Sequence, residues 1–222
     1  MGSEYATFLG DLRVRTERAW QAVGDPPTTF FGPYWQQGTR WAGRASANDV
    51  ERAQKLAGGA LPDDYRDFLL DLHTTDSPML MRDRSAGGRI VPVSSFTDWR
   101  ANVADIAADV RATRTSLIVA ALRAGTWLAS WGEKPETRED QEGHLDSLIA
   151  KAPPLIPVFR HRYLVADATS AVLSIKGGDV IVFAISFRQY LINELSAVLQ
   201  VPAEVPREIP LIPFWSELIA AL

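Results

Sequence analysis

Two adjacent glycines, Gly177-Gly178, constrain the fold of this chain more than any other feature. They sit between two short apolar runs, 171–176 and 179–184. A two-residue turn between strands needs positive φ at both central positions, which glycine adopts without steric cost. The runs therefore predict a β-hairpin in which Lys176 faces Asp179, Ile175 faces Val180 and Leu173 faces Val182. One side of this hairpin is wholly apolar. The other carries Val172, Ile181 and Phe183 and is interrupted only by Ser174. A hairpin apolar on both sides is expected at the centre of a sheet, with helices or loops covering it. Shortly afterwards Ser186 predicts a helix cap, and Phe187, Tyr190, Leu191, Leu195 and Val198 fall on one helical stripe.

The rest of the chain supplies cover for such a sheet. Apolar residues at helical spacing predict a helix over 5–23, ended by Gly24-Asp25-Pro26-Pro27. The next segment holds Phe30, Phe31, Tyr34, Trp35 and Trp41. It reads as a loop strapped over the core, the sharper alternative being an exposed aromatic patch for a partner. Ser46 begins a helix with Val50, Ala53, Leu56 and Ala57 inward, and Gly58-Gly59 stops it. Pro62 suits the first position of the following helix, with Tyr65, Phe68, Leu69 and Leu72 on its inner stripe. Asp63 and Asp64 read there as charges at the positive helix end, in preference to a catalytic carboxylate pair.

Short strands are expected at 79–81 and 89–93. Ser94 or Ser95 predicts a cap for a helix using Phe96, Trp99, Val103, Ile106 and Val110. In the run 116–122, Leu-Ile-Val favours a strand and the alanines that follow favour a helix; the strand reading is preferred. Residues 136–151 read as a helix with Leu145, Leu148 and Ile149 inward, and 155–159 as a strand. The proline-studded segment 201–213 reads as a strap, since each proline blocks regular helix, and Phe214, Trp215, Leu218 and Ile219 as a short terminal helix. The pattern predicts one α+β domain over 1–222. It comprises an N-terminal helix and aromatic loop at 1–45, a core at 46–200, and the strap and terminal helix at 201–222. The sheet should be mixed or antiparallel with the hairpin central, because consecutive strands are not all separated by helices.

Composition excludes several chemistries. The 222 residues include no cysteine, so disulfides, thiol nucleophiles and thiolate metal ligands are ruled out. A net charge of −4 speaks against a general nucleic-acid binder, which would carry a basic face. No run approaches the ~20 apolar residues that span a bilayer, and no long apolar h-region follows the first methionine. A soluble cytoplasmic protein is therefore expected, with no membrane partner. The histidines are His73, His144 and His161, and they form no HExxH. His144 and Asp146 would point apart on a helix, so neither a metal nor another cofactor is expected. There is no G-x-S-x-G elbow, and Lys176-Gly177-Gly178-Asp179 lacks the spacing of a phosphate loop. No catalytic residue is assigned, although a dispersed triad stays open because triads are spatial arrangements.

Two polar groups remain. Arg160, His161, Arg162 and Tyr163 form the most polar cluster in an apolar context. On an alternating strand Arg160 and Arg162 point one way and His161 and Tyr163 the other. The guanidinium groups suit an anion or peptide carboxylate. The preferred reading is structural: a partly buried arginine paired with a carboxylate, and a histidine and tyrosine that help fix the sheet. The second group is acidic, with Glu133, Glu136, Glu139, Asp140, Glu142 and Asp146 against Lys134 and Arg138. Ordinarily such a run is a solvated helix face. A one-sign patch also raises encounter rates with a basic partner, which would use Glu136, Glu139, Asp140 and Glu142 with Trp131 as an apolar anchor.

The order of these motifs resembles the SUKH superfamily, which contains a fungal cell-wall-assembly regulator and many bacterial toxin-immunity proteins. The residues that carry the resemblance are Leu61-Pro62-Asp63-Asp64-Tyr65 with Phe68-Leu69, then Trp131-Gly132-Glu133-Lys134-Pro135, then LIPVFRHRY at 155–163, the hairpin, and SFRQYLINEL at 186–195. Together they span roughly 50–72 and 127–195. The chain departs from the pattern where a proline usually follows His-Arg-Tyr; here Leu164-Val165-Ala166 stands. The resemblance implies a SUKH-like α+β fold and a non-enzymatic protein-binding domain that binds and neutralises a cognate toxin. The alternatives are a regulatory scaffold, as the fungal relatives suggest, and a small-molecule or peptide-binding enzyme using His161 and Arg162.

Overall fold

The computed structural model describes residues 2–27, 32–83, 87–101, 103–167, 169–206 and 208–221. Phe30 and Phe31 of the aromatic segment lie outside them. In chain order these residues form α1 (Gly2–Gln21), β1 (Pro33–Tyr34), α2 (Ala47–Ala57), α3 (Asp63–Asp71), β2 (Met79–Asp83), β3 (Arg89–Val93) and α4 (Val103–Arg123). A 3-10 turn (Ala129–Trp131) precedes α5 (Arg138–Lys151), β4 (Leu155–Phe159), β5 (Arg162–Val165), β6 (Val172–Lys176), β7 (Asp179–Ala184), α6 (Phe187–Glu194), α7 (Ser196–Leu199) and α8 (Trp215–Ala221). The fold is α+β, with a three-stranded sheet β1-β2-β3 and a four-stranded sheet β4-β5-β6-β7, both antiparallel.

The hairpin closes in the register read from the sequence. Lys176 faces Asp179, Ile175 faces Val180 and Leu173 faces Val182. Both glycines have positive φ, 62° at Gly177 and 96° at Gly178. The expected central position is corrected: β6 is interior, but β7 is the edge strand. The reason lies in the layers. The large sheet is sandwiched between two apolar cores, so apolar residues on both sides of a strand report cover above and below it, not neighbours on either hand. Ile156, Leu164, Val172 and Ala184 enter the first core; Leu155, Tyr163, Val165, Leu173, Ile175 and Val180 enter the second. Helices α1, α2, α3 and α6 cover the first face, and α4, α5 and α8 the second. On α6, Phe187, Tyr190 and Leu191 are 0% exposed, and burying Phe187 and Leu191 contributes about 1.5–3 kcal/mol each over an exposed side chain.

Local chemistry sets most helix ends. Ser46 and Asp49 form a reciprocal capping box on α2, and Gly58 ends that helix in the left-handed conformation. Pro62 occupies the cap position of α3, one residue outside the helix. Ser186 caps α6 through the Gln189 N–H. The N-terminal segment is deeply integrated: Trp20 packs against Trp35 and Trp41, with ring centroids 4.6 and 5.5 Å apart. The Trp41 indole N–H donates to Thr16 Oγ1 at 2.9 Å. Tyr34 belongs to β1 and pairs with β2. Helix α1 packs on α3 and on α7, so segments far apart in the chain close the first core.

Two expectations fail in the middle of the chain. Residues 94–101 do not form a helix capped by Ser94 or Ser95. Phe96 and Trp99 are buried from irregular chain, held by tertiary bonds: the Trp99 N–H donates to His73 Nε2 (3.1 Å) and its indole to the Tyr65 hydroxyl (2.8 Å). Ser95 shares a hydrogen bond with Thr75 at 2.6 Å. Residues 116–122 are not a strand but the last part of the 21-residue helix α4. Alanine, leucine and arginine, all strong helix formers, outweigh the short β-branched stretch there.

After α7 the strap 201–213 passes from the first core to the second, where Ile212 is fully buried. Asn193 pins it. Its Nδ2 donates to the Glu204 carbonyl (2.9 Å) and the Phe183 carbonyl (3.3 Å), and its Oδ1 accepts the Glu204 N–H (2.7 Å). Among the described residues no helix is long and apolar enough to cross a membrane.

Candidate functional site

The Leu61-Pro62 turn forms one wall of an open cleft of about 880 Å³. Leu61 is buried and anchors the turn after the left-handed stop at Gly58. The other walls are the start of α1 (Glu4, Tyr5), the start of α6 (Arg188) and the segment holding Asp167 and Ser170. Five carboxylates line the cleft, those of Glu4, Asp63, Asp64, Asp67 and Asp167, against the guanidinium groups of Arg66 and Arg188. Arg188 is engaged by Glu4 at 3.1 Å and lies 4.7 Å from the Phe8 ring centroid. Asp167 accepts from the Thr169 N–H (2.9 Å) and hydroxyl (2.6 Å). Asp63 and Asp67 form no salt bridge among the described residues.

Asp64 plays a different part. Its Oδ1 accepts the Tyr65 N–H at 2.9 Å, and its Oδ2 accepts the Phe187 N–H at 3.2 Å, so one side chain serves the first turns of both α3 and α6. Burial holds its carboxyl above the usual carboxylate range, against the lowering effect of these bonds. The Tyr5 hydroxyl beside it is buried and has no hydrogen-bond partner among the described residues. Burial, and then the negative charges of Asp64 and Asp67, push the Tyr5 pKa up. Asp63 and Asp64 are thus helix-end charges, as the sequence indicated. What local sequence could not show is their meeting with Glu4 and Asp167.

The Arg-His-Arg-Tyr cluster is arranged differently from an alternating strand. Arg160 and His161 form the turn between β4 and β5, with Arg160 at φ 52°, and the strand begins at Arg162. Arg160 and Arg162 therefore do not share a strand face; Arg160 Nη2 instead approaches Met81 Sδ at 3.0 Å. Arg162 is committed to the protein. Its Nε donates to Glu194 Oε2 at 3.3 Å, its Nη1 to the Ser174 hydroxyl, and its guanidinium lies 3.7 Å from the Phe183 ring centroid. The polar interruption at Ser174 is thereby explained. Burial raises the Glu194 carboxyl even though Arg162 pulls it down. Tyr163 points to the second core and shares a 2.7 Å hydrogen bond with Thr113. The pKa of His161 is lowered to about 4, by burial first and then by Arg162, Arg160 and Lys176.

The acidic segment 133–146 keeps its charges in solvent. Glu136, Glu139 and Asp140 are exposed and Glu142 is half-buried, paired with Arg138 at 2.9 Å. Asp140 also accepts from the Thr137 hydroxyl at the start of α5. Trp131 corrects the sequence reading: it is 3% exposed inside the second core, so it presents no anchor to a partner. Its turn is fixed from outside, by His144 Nε2 on the Trp131 carbonyl (2.6 Å) and the Trp127 indole on the Gly132 carbonyl (2.9 Å). Among the described residues no group of three or more histidine or acidic side chains is placed to hold a metal. Comparison of the chain with protein-family models, with curated proteins and with solved structures gives no match in any of the three.

Proposed function

We propose that the chain is a protein-binding domain that holds a basic protein partner stoichiometrically and without turnover. This is the role implied by its resemblance to the toxin-neutralising members of the SUKH superfamily. The observation that carries the reading is the acidic cleft at the Leu61-Pro62 turn, where five carboxylates meet two guanidinium groups, one of them already paired. A lysine or arginine of a partner reaches Asp63 and Asp67 there without first breaking a salt bridge. The exposed charges of Glu136, Glu139 and Asp140 add to a long-range field that speeds encounter with a basic protein. The enzyme alternative has less support, because Arg162 is occupied by Glu194 and Ser174 and His161 is surrounded by cations.

The test is co-expression with a toxin candidate encoded beside this chain, followed by binding kinetics at low and moderate salt. Growth should be rescued and a stoichiometric complex isolated. Replacing Asp63 and Asp67 by Asn should raise the dissociation rate, since truncating one side of a close charge pair acts there. Replacing Glu136, Glu139 and Glu142 by Gln should slow association and leave dissociation unchanged. If no neighbouring gene product is bound or neutralised, the function is wrong. If rescue occurs and both sets of variants bind like the parent, the acidic surfaces are not the interface.

A further inference from the structure

The hairpin leaves one edge of the large sheet open. β7 faces β6 with Asp179 opposite Lys176 and Ile181 opposite Ser174. The alternation of an antiparallel ladder then turns the N–H and C=O groups of Val180 and Val182 away from β6. In agreement, the N–H of Ile175, which lies opposite Val180, donates to the His161 carbonyl on the other side at 2.8 Å. Among the described residues no hydrogen bond reaches the outward groups of Val180 and Val182. Unpaired strand edges are templates for another strand. Ile181, between them, is 49% exposed. Ile185, Val205, Ile209 and Leu211, just beyond β7 or in the strap, are exposed apolar residues too.

We propose that this edge is a self-association site, at which β7 pairs antiparallel with β7 of a second copy about a two-fold axis through Ile181. The regular part of β7 runs from the glycine turn to the bulge at Phe183, where the register shifts so that Val172 faces Ala184. Ile181 is its midpoint. A two-fold axis there sets Val180 opposite Val182 of the second copy and the reverse, so the outward groups of both copies are satisfied together. Ile181 faces Ile181 of the second copy in a non-hydrogen-bonded pair, the closer of the two pair types and a favourable setting for β-branched residues. Asp179 meets Phe183 of the second copy, so no like charges oppose one another. Beyond the pair, the hairpin tip of the second copy arrives beside Ile185, at a groove of about 660 Å³ whose lining includes Glu204, Val205 and Glu208. The tip carries the exposed Lys176, whose ammonium complements those carboxylates. This combination of symmetric hydrogen bonding and complementary charge selects a second copy over an unrelated strand.

The full chain should sediment at twice its mass of 24.5 kDa at micromolar concentrations. Ile181→Lys sets two ammonium groups face to face, and Val182→Pro removes an outward N–H without touching the ladder to β6. Each should give a monomer with the parent's circular dichroism. Because the chain has no cysteine, Ile181→Cys is a clean reporter: mild oxidation should link two copies, whereas Val14→Cys, exposed on α1, should stay unlinked. A parent chain that is monomeric at all concentrations overturns the proposal. So does a dimer that survives Ile181→Lys, or one in which Ile181→Cys fails to cross-link; the cysteine variant is uncharged and keeps the test valid if the lysine variant misfolds.

Discussion

Replacing Gly178 by alanine separates two contributions to the hairpin that the paired glycines otherwise combine. Gly178 has φ 96°, and a Cβ added there would lie 2.2 Å from Ala120 Cβ on α4. Gly177 has φ 62° and open space where its Cβ would be. Holding an L-residue in left-handed geometry costs about 1–2 kcal/mol. Forcing a methyl group into packed space costs about a further 1–3 kcal/mol. Gly177→Ala should therefore destabilise by about 1–2 kcal/mol, and Gly178→Ala by about 2–5 kcal/mol. Urea unfolding gives both values, and for a chain of this size each kcal/mol moves Tm by about 2–4 °C. The steric part is isolated by a double-mutant cycle with Ala120→Gly. That change alone costs about 1 kcal/mol in a helix interior. Combined with Gly178→Ala it should recover about 1–3 kcal/mol of the clash as coupling energy. Equal costs for the two alanine variants, with no coupling to Ala120, would refute the claim that the hairpin tip packs directly on α4.

Arg162→Ala should cost about 3 kcal/mol in chemical denaturation, because it strips a mostly buried Glu194 of its charged donor; adding Glu194→Gln should restore part of the loss. The low pKa of His161 also makes a signed prediction. Its native value of about 4 lies below the unfolded value of 6.5, so the unfolded chain takes up the proton first, and this contribution to stability is full above pH 6.5 and falls as pH drops towards 4. Asp64 and Glu194 act oppositely, since burial raises their carboxyls and their protonation favours the native state. The stability of the parent relative to His161→Gln should therefore fall as pH drops from 6.5 to about 4, and parallel curves would contradict the assignment.

How much of this was legible in the sequence depended on the range of the interaction. The register of β6 on β7 could be read because a two-residue turn leaves only one pairing. The caps at Ser46 and Ser186 could be read because each acceptor bonds an N–H three residues on. The edge position of β7 could not, because alternation along a strand reports the two layers and is silent about lateral neighbours. Phe96 and Trp99 are spaced like a helix, yet they are buried through partners that spacing does not reveal, Phe96 against Trp41 and Phe68, and Trp99 bonded to His73 and Tyr65. The same holds for the candidate site. Ser174 was visible as a polar break in an apolar side, but its partner Arg162 is contributed by another strand. The cleft draws Glu4, Asp63 and Asp167 from three distant stretches of chain. Trp131 misled for a related reason: a tryptophan before an acidic run suits an anchor or a core residue equally, and only packing against Leu145 and Ile149 decides.

The closure of the first core by two segments far apart in the chain has a consequence for synthesis. Leu9, Leu12 and Trp20 leave the ribosome well before α7, on which α1 packs and whose Leu199 carbonyl accepts from Arg15. Asp64 likewise waits for an N–H 123 residues downstream. At ~5–20 residues per second, the apolar stripe of α1 stays without its lid for roughly 10–40 s. In the second core α4, α5 and the β4–β7 meander follow one another without interruption, and Trp215 and Leu218 of α8 complete it. Assembly order thereby departs from emergence: the meander and its α4–α5 cover emerge before α8 completes the second core, and α1, made before all of them, docks only once α7 has followed the meander. Until it does, the nascent protein displays the kind of apolar helix that chaperones hold.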